Sequence, residues 1–348
     1  MKLFFFIILT TFFLVNCKQS NNSTNLLSKV QPVSIPKNEQ FKGLSFVGNP
    51  KPITDSCLNA VTDIGANSIT LMPFAFLASL SDPEVQFDFK NQWWGETPEG
   101  IDSCIRAAHR KELRECLKPQ LWVGNGEFTG YIKFTSEKEW NTFEKTYCDF
   151  LLPFLKIAET RKIELFCIGT ELAESVKEKP EMWLNIISFC KKHYSGKLTY
   201  AENWDAFHLF PYWDKLDYIG VDAYFPLVET KNPNIKALKK GWKKPLDQLK
   251  NCSDKFGKPV LFTEFGYRAS DWACAKPWTH ENDLKLNEEL QAKAYQALFE
   301  SVWKKEWFAG GFTWKWFPFH EEHLGEDKTE YSPQNKKAED VLRNQYKK

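Results

Sequence analysis

The chain has 348 residues, a length that accommodates one large α/β barrel or two ordinary domains. Its 46 basic and 45 acidic residues leave a formal net charge of +1, which argues against nucleic acid as a partner. Aromatic residues make up 16% of the chain and include 14 tryptophans, which suit either a large aromatic core or a surface on which sugar rings stack.

Residues 1–16 are predicted to be a signal peptide rather than part of the fold. A positively charged start precedes an apolar run at 3–15, which is shorter than the roughly 20 residues of a transmembrane helix. The run ends in Leu-Val-Asn-Cys, which resembles a bacterial lipobox, in which the cysteine is lipidated and becomes the first mature residue. We therefore expect Cys17 to anchor the exported protein to a bacterial membrane. Asn16 departs from the usual small residue, and an ordinary signal peptide is the alternative.

Residues 17–40 are rich in Ser, Asn, Gln and Lys and are predicted to form a flexible tether that follows the lipidated Cys17. The folded domain is expected to span residues 41–348, because no later segment has the composition of a linker. Eight cysteines lie in this domain without any Cys-x-x-Cys pair, so a zinc or thiol redox motif is not expected. An exported protein can pair some of them, but those in apolar segments suit buried free thiols.

From residue 41 onward, short β-rich segments alternate with longer segments of helical pattern. The predicted strands are 43–47, 68–72, 117–123, 165–169, 198–201, 218–221, 259–263 and 311–314. Eight strand–helix units in one chain of this size predict a closed parallel (β/α)8 TIM barrel. The alternative, an open doubly wound sheet, usually carries a glycine-rich phosphate loop after its first strand, and residues 45–50 do not form one.

Helices are predicted near 55–64, from residue 98, at 136–159 and near 287–305. At the start of the longest, Ser136 and Glu139 have the spacing of a capping box.

Two glutamates follow predicted strands at the end of the barrel where the catalytic residues of such folds lie. Glu171 follows the fourth strand and Glu264 the seventh, while Tyr224 follows the sixth strand and Trp314 ends the eighth. Glycoside cleavage needs one carboxylic acid to protonate the leaving oxygen and one carboxylate to attack or stabilise the anomeric carbon. A helix cap or a surface acid would explain either glutamate alone, but not both together with these aromatics. The pair therefore predicts a glycoside hydrolase.

Five stretches in chain order resemble glycoside hydrolase family 113, one of the clan A hydrolases whose acid/base and nucleophile are glutamates after strands four and seven. They are Cys-Ile-Gly-Thr-Glu-Leu at 167–172, Leu-Thr-Tyr-Ala-Glu-Asn-Trp-Asp at 198–205, Asp-Tyr-Ile-Gly-Val-Asp-Ala-Tyr-Phe-Pro at 217–226, Phe-Thr-Glu-Phe-Gly-Tyr-Arg at 262–268 and Gly-Gly-Phe-Thr-Trp-Lys-Trp at 310–316. The resemblance covers roughly residues 41–320 and implies endo-β-1,4-mannanase activity.

The resemblance also implies roles for individual residues. Glu171 matches the acid/base and Glu264 the nucleophile, which gives hydrolysis with retention of configuration. Tyr224 matches the aromatic residue that hydrogen-bonds the nucleophile. Trp314 matches the sugar platform on the eighth strand.

The chain departs from the clan pattern at two places. Many members have an asparagine just before the acid/base, where this chain has Thr170, so we expect Thr170 and Asn203 to contact the sugar instead. The loop at 126–130, after the third strand, lacks an arginine of the kind expected for sugar contacts. Three further candidates for substrate contact lie near strand ends; a loop plug is the alternative for the tryptophans among them. They are Trp94, Lys118, which is predicted to lie in the third strand, and Trp204.

No cofactor or metal is expected, because the strand ends carry carboxylates and aromatics but no cluster of ligands. His320 and His323 are three residues apart rather than the four of a zincin motif, and are interpreted as part of a charged loop. The expected partners are a β-linked polysaccharide or oligosaccharide and, through the anchor, a membrane; the protein is expected to be a monomer.

Three functions stay open. An endo-acting mannanase is preferred, and an exo-acting β-mannosidase or transglycosylase would use the same two glutamates. A non-catalytic carbohydrate-binding lipoprotein would have no need of the pair. Product lengths separate the first two, and release of sugar separates both from the third.

Overall fold

A computed structural model describes residues 33–87, 89–279, 284–320 and 328–348. Eight parallel strands close into a barrel, which confirms the predicted (β/α)8 fold. In chain order the strands are β1 Phe41–Phe46, β2 Ser68–Leu71, β3 Phe74–Leu77, β4 Arg114–Leu117, β5 Gln120–Val123, β6 Leu165–Thr170, β7 Lys197–Asn203, β8 Ile219–Asp222, β9 Val260–Phe265 and β10 Phe308–Trp316. The barrel runs β1-β2-β4-β6-β7-β8-β9-β10, and β10 pairs with β1 to close it.

Helices cover the outside of the barrel. They are α1 Asn59–Asp63, α2 Pro98–Arg110, α3 Glu137–Arg161, α4 Ala173–Glu178, α5 Pro180–His193, α6 Ile235–Gly241, α7 Lys243–Phe256, α8 Glu288–Ser301 and α9 Lys337–Tyr346. At the start of α3, the Ser136 hydroxyl accepts from the Glu139 N–H and the Glu139 carboxylate accepts from the Ser136 N–H, so the predicted capping box is confirmed. The fully described connection from β7 to β8 holds only a 3-10 turn at Trp213–Lys215 in place of an α-helix.

The third predicted strand is wrong in its bounds. Instead of one strand at 117–123, β4 ends at Leu117 in the barrel, and β5 pairs with β3 in a separate two-stranded parallel sheet. Pro119 explains the break, because proline has no N–H to donate to a barrel ladder. Lys118 therefore lies just after the barrel strand, at its carboxyl end, and not within a strand.

The aromatic content divides between core and surface. Tyr147 on α3, Trp183 on α5 and Tyr200 on β7 are fully buried and pack in sequence, with ring centroids 6.2 and 5.3 Å apart. Four other tryptophans are between 40% and 52% exposed, namely Trp93, Trp122, Trp272 and Trp278. The tryptophans thus supply both a large core and candidate surfaces for stacking.

The end of the predicted tether packs against the base of the barrel. Gln40 is buried, and its side-chain amide donates to the carbonyls of Trp303 at 3.1 Å and Phe308 at 2.9 Å, where β10 begins. Since the strands are parallel, this attachment lies opposite the carboxyl ends of the strands. The predicted signal peptide and Cys17 lie outside the described residues.

Within the described segments, no helix combines the length and apolar character needed to cross a bilayer. All eight cysteines of the domain are described, and each is a free thiol.

Candidate active site

Glu264, near the end of β9, accepts hydrogen bonds from three side chains. Lys118 Nζ donates to Oε1 at 2.5 Å, and Gln120 Nε2 donates to the same oxygen at 3.2 Å. Tyr224 OH donates to Oε2 at 2.7 Å. The residue is only 6% exposed. Because each of these donors stabilises the ionised carboxylate, Glu264 lies in a site built for a negative charge.

Asp222, the last residue of β8, shares the Lys118 ammonium with Glu264. Lys118 Nζ lies 3.1 Å from both oxygens of Asp222, and Thr263 Oγ1 donates to Oδ1 at 2.7 Å. Burial and the charge of Glu264 raise the pKa of Asp222 to about 7, against the opposing effect of Lys118. Burial acts to lower the pKa of Lys118, but the two carboxylates outweigh it and raise that pKa above its ordinary value. Lys118 is therefore a buried cation.

Glu171 directly follows β6 on a tightly held turn. Its φ of 53° is left-handed, which is uncommon for a residue other than glycine. The backbone N–H of Glu171 donates to the Ala201 carbonyl at 2.8 Å, and the N–H of Leu172 donates to Tyr200 OH at 2.7 Å. These two bonds tie the turn to β7 and fix where the Glu171 side chain starts.

The Glu171 carboxyl lies in an environment opposite to that of Glu264. No side chain among the described residues donates a hydrogen bond to it. Burial raises the pKa of Glu171 well above its ordinary value, and the charges of Asp222 and Glu264 raise it further, against Lys118. The two carboxyls therefore lie in opposed environments: that of Glu171 favours the protonated form, and the three donors around Glu264 favour the carboxylate.

Thr170, Asn203 and Trp204 lie at the ends of the two adjacent strands β6 and β7. The Thr170 hydroxyl is buried and makes no hydrogen bond within the described residues. Asn203 Oδ1 accepts from the Trp204 N–H at 2.9 Å. The Trp204 ring stacks on Trp278, from the loop after β9, with centroids 5.2 Å apart and planes 16° apart. Contact of these residues with a sugar stays a prediction.

Trp314 and Trp94 differ in their surroundings. Trp314 is half-buried in β10, and the peptide bond that follows it is cis. A Cβ atom on Gly266 would lie 2.4 Å from the Trp314 carbonyl oxygen, so the close approach of β9 and β10 requires glycine there. Trp94 packs against the hydrophobic core, whereas its neighbour Trp93 is 48% exposed. Trp94 is half-buried, and its contact with a sugar stays a prediction.

Lys118 also differs from its predicted role in substrate contact. It is 0% exposed, and its ammonium points at Glu264 and Asp222 instead of open solvent. The structure thus places it behind the carboxylates and not on the cleft surface.

Sequence reasoning gave no role to four residues around the two glutamates. Glu202 is 2% exposed at the end of β7; burial raises its pKa to about 8, and the Asn203 N–H donates to it at 2.9 Å. The Tyr331 ring packs on Tyr224 with centroids 5.9 Å apart. Glu202 and Asp222 lie within the quoted stretches 198–205 and 217–226, so a signal existed for them. Gln120 and Tyr331 carry no local signal.

Among the described residues, no group of three or more His, Cys, Asp or Glu side chains is arranged to hold a metal ion. His323 lies outside those residues, so the pair it forms with His320 is not described.

Comparison with known proteins gives a family and a fold for the chain. A model of Glycoside Hydrolase Family 113 matches residues 50–336. A structure of a GH113 beta-1,4-mannanase complex superposes with a TM-score of 0.78 at 22% identity, over 89% of this chain and 99% of that one. The GH113 beta-mannanase AaManA from Alicyclobacillus acidocaldarius, in complex with ManMIm, superposes with a TM-score of 0.78 at 24% identity, over 88% of this chain and 97% of that one.

A beta-D-glucuronidase of Dictyoglomus thermophilum superposes less well, with a TM-score of 0.59 at 13% identity, over 91% of this chain and 53% of that one. At these identities the solved structures share the fold with this chain. None of the curated proteins matches the chain in sequence.

Proposed function

Because the chain belongs to glycoside hydrolase family 113, we propose that it is a retaining β-mannanase that uses Glu171 as acid/base and Glu264 as nucleophile. The observation that carries the proposal is the contrast between the two carboxyls. Glu264 accepts three hydrogen bonds, one of them from an ammonium, whereas burial and neighbouring charges raise the pKa of Glu171. Paired carboxyls with such opposed environments divide into an acid and a nucleophile.

In the first step, the ionised Glu264 attacks the anomeric carbon, the glycosidic C–O bond breaks, and Glu171 transfers its proton to the leaving oxygen. The resulting ester carries no charge on Glu264. One of the charges that raised the pKa of Glu171 has then disappeared, so Glu171 becomes a better-stabilised carboxylate. It takes a proton from water, the water oxygen attacks the anomeric carbon, and Glu264 leaves as a carboxylate. Two inversions at one carbon give retention.

Mannan is the proposed substrate because the family match is joined by two superposed structures described as GH113 mannanases, one of them in complex with ManMIm. Endo action is supported by the Trp204–Trp278 stack, which lies on loops after β7 and β9 and leaves Trp278 44% exposed. An indole face at the rim, in addition to Trp314 on β10, suits a substrate that extends beyond one sugar ring.

Digestion of mannan, glucomannan, xylan and cellulose, with the products sized over time, tests the substrate and the mode of action. We expect mannan to give short oligosaccharides early. Release of mannose alone would favour exo action, release from another polymer would reassign the substrate, and no release from any would favour a binding protein. The anomer of the first product tests the mechanism, since a first-formed α-anomer is the result of inversion.

We also propose that the protein is exported and anchored through Cys17, as a monomer. The attachment of Gln40 at the base of the barrel supports anchoring, because a tether that joins the domain there does not cover the mouth with Glu171 and Glu264. Stable anchoring requires more than one acyl chain, since a single chain binds membranes only marginally.

A further inference from the structure

Lys118 is a fully buried cation between two carboxylates. Its ammonium lies 2.5 Å from Glu264 Oε1 and 3.1 Å from each oxygen of Asp222. It follows β4 directly, and its own N–H donates to the Leu71 carbonyl at 2.9 Å, so the backbone is fixed at the same point. An ammonium at 0% exposure has no access to a sugar, and its effect on the reaction must pass through the carboxylates.

Burying one charge without compensation is costly, and removing one partner of a buried ion pair commonly destabilises a protein strongly. Here the lysine has two anionic partners, and only Glu264 is the proposed nucleophile. When Glu264 forms an ester with the sugar, its negative charge is lost. Asp222 then remains as the counter-ion, so the ammonium is never left buried alone.

We propose that Lys118 and Asp222 form a positioning pair, in which Asp222 fixes the Lys118 ammonium and the ammonium holds Glu264 ionised and oriented for attack. The inference rests on the proposed role of Glu264 as nucleophile. Thr263 also holds Asp222 in place, because its hydroxyl donates to Asp222 Oδ1 at 2.7 Å and gives that carboxylate a second partner besides Lys118.

The pair also accounts for the change of charge during the reaction. In the free enzyme, burial and the charge of Glu264 raise the pKa of Asp222 to about 7. Esterification removes the charge of Glu264, so Asp222 becomes more firmly ionised at the stage when Lys118 depends on it alone. Besides Lys118, Asp222 and Glu264 themselves, the titratable groups that face this cluster are Cys116 on β4, Cys167 on β6, Glu171 after β6, Glu202 on β7, Tyr224 after β8 and Tyr331.

Lys118→Met tests the pair, because it removes the charge and keeps a side chain of similar length. With an aryl β-mannoside whose leaving group needs no protonation, kcat/KM should fall about 10- to 100-fold, as for a lost hydrogen bond to a charged group. The acidic limb of the pH–rate profile should move to higher pH. Lys42→Met is the matched control, because Lys42 lies on β1 and its ammonium donates to the Tyr346 carbonyl at 2.7 Å, away from Glu264. It should leave the profile unchanged.

Two additional variants separate positioning from a general loss of stability. Asp222→Asn should slow formation of the glycosyl–enzyme more than its breakdown, because the ester would leave the Lys118 ammonium buried without an anion. The burst of aryl alcohol should therefore be smaller than in the wild type, and a larger burst would contradict the role given to Asp222. Lys118→Met combined with Asp222→Asn removes both charges and leaves only Glu264 of the three charged, with its hydrogen bonds from Gln120 and Tyr224 intact. It keeps the test available if Lys118→Met, which leaves two buried carboxylates side by side, does not fold. In this double variant the acidic limb should still move to higher pH.

Carbon-13 NMR titration of labelled glutamate carboxyls, without substrate, gives a readout that does not depend on activity. The Glu264 signal, assigned through Glu264→Gln, should titrate at higher pH in the folded Lys118 variants than in the wild type. An unchanged Glu264 titration would overturn the positioning pair. If the titration moves but the wild type hydrolyses none of the polysaccharides, the pair stands and the proposed function fails.

Discussion

Replacing Tyr224 with phenylalanine removes a single hydroxyl from the site. That hydroxyl donates to Glu264 Oε2 at 2.7 Å, while the ring packs edge-on against Tyr331 with centroids 5.9 Å apart. Glu264 Oε1 keeps its donors Lys118 and Gln120 in the variant. Tyr224→Phe therefore removes one of the three hydrogen bonds that stabilise the ionised nucleophile and leaves the ring packing in place.

The expected size of the effect follows from the type of bond. A hydrogen bond to a charged group contributes about 1.5–3 kcal/mol, and 1.36 kcal/mol corresponds to a factor of ten in rate. We expect kcat/KM to fall about 10- to 100-fold, since two donors remain on the other oxygen. Because the lost donor stabilised the carboxylate and not the acid, protonation of Glu264 becomes easier, and the loss should be greatest on the acidic side of the pH profile.

The assay is kcat/KM for an activated aryl β-mannoside across the acidic and neutral range. Tyr212→Phe serves as the control, because it removes a hydroxyl that donates to the Pro180 carbonyl at 3.0 Å, remote from Glu264. A Tyr224→Phe enzyme with the activity and acidic limb of the wild type would refute the reasoning. A loss of equal size at every pH would show that the hydroxyl positions substrate and does not support the charge of Glu264.

Four more predictions follow from the site and the sequence. Glu171→Ala should lose about 10²–10⁴ in rate on substrates with poor leaving groups and less on activated ones. With added azide it should give a β-glycosyl azide, whereas Glu264→Ala should give the α-anomer. The opposite pair of products would make Glu264 the acid/base and Glu171 the nucleophile. Exhaustive chelation should leave activity intact, and a loss restored by one divalent ion would reveal a metal requirement. Cys17→Ser should move the protein from the membrane to the soluble fraction, and unchanged fractionation would exclude the lipid anchor. Burial raises the pKa of Glu115 to about 8, so the folded state keeps a proton that the unfolded chain has lost, and stability falls as pH rises toward that value. Glu115→Gln should therefore raise Tm more at mildly alkaline than at mildly acidic pH, and an equal change at both would contradict the burial argument.

The barrel could be predicted because its signal is local and repeated. Each strand–helix unit carries its own pattern, and the capping box at Ser136 and Glu139 fixes the start of α3 from four residues alone. The third strand was misplaced because an apolar β-rich run suits either sheet. Residues 117–123 read as one strand, and only the missing N–H of Pro119 separates the barrel strand from β5.

Glu171 and Glu264 could be selected as candidates because the topology places the carboxyl ends of all barrel strands at one mouth. The side chains that contact these glutamates could not be predicted. Lys118 and Gln120 are separated from Glu264 by 146 and 144 residues, and no local pattern records that their side chains meet. Asp222 lies within a recognised stretch, but its role depends on contact with Lys118, which only the folded chain shows.

The small β3–β5 sheet joins two loops of the barrel mouth into one unit. Four backbone pairs, from Phe74–Gln120 to Leu77–Val123, link the loop after β2 to the loop after β4. Gln120, within this ladder, donates to Glu264. A chimera that receives either loop alone from another family member would carry an unpaired strand edge and a displaced amide. Loop grafting to alter specificity should therefore transfer both segments together.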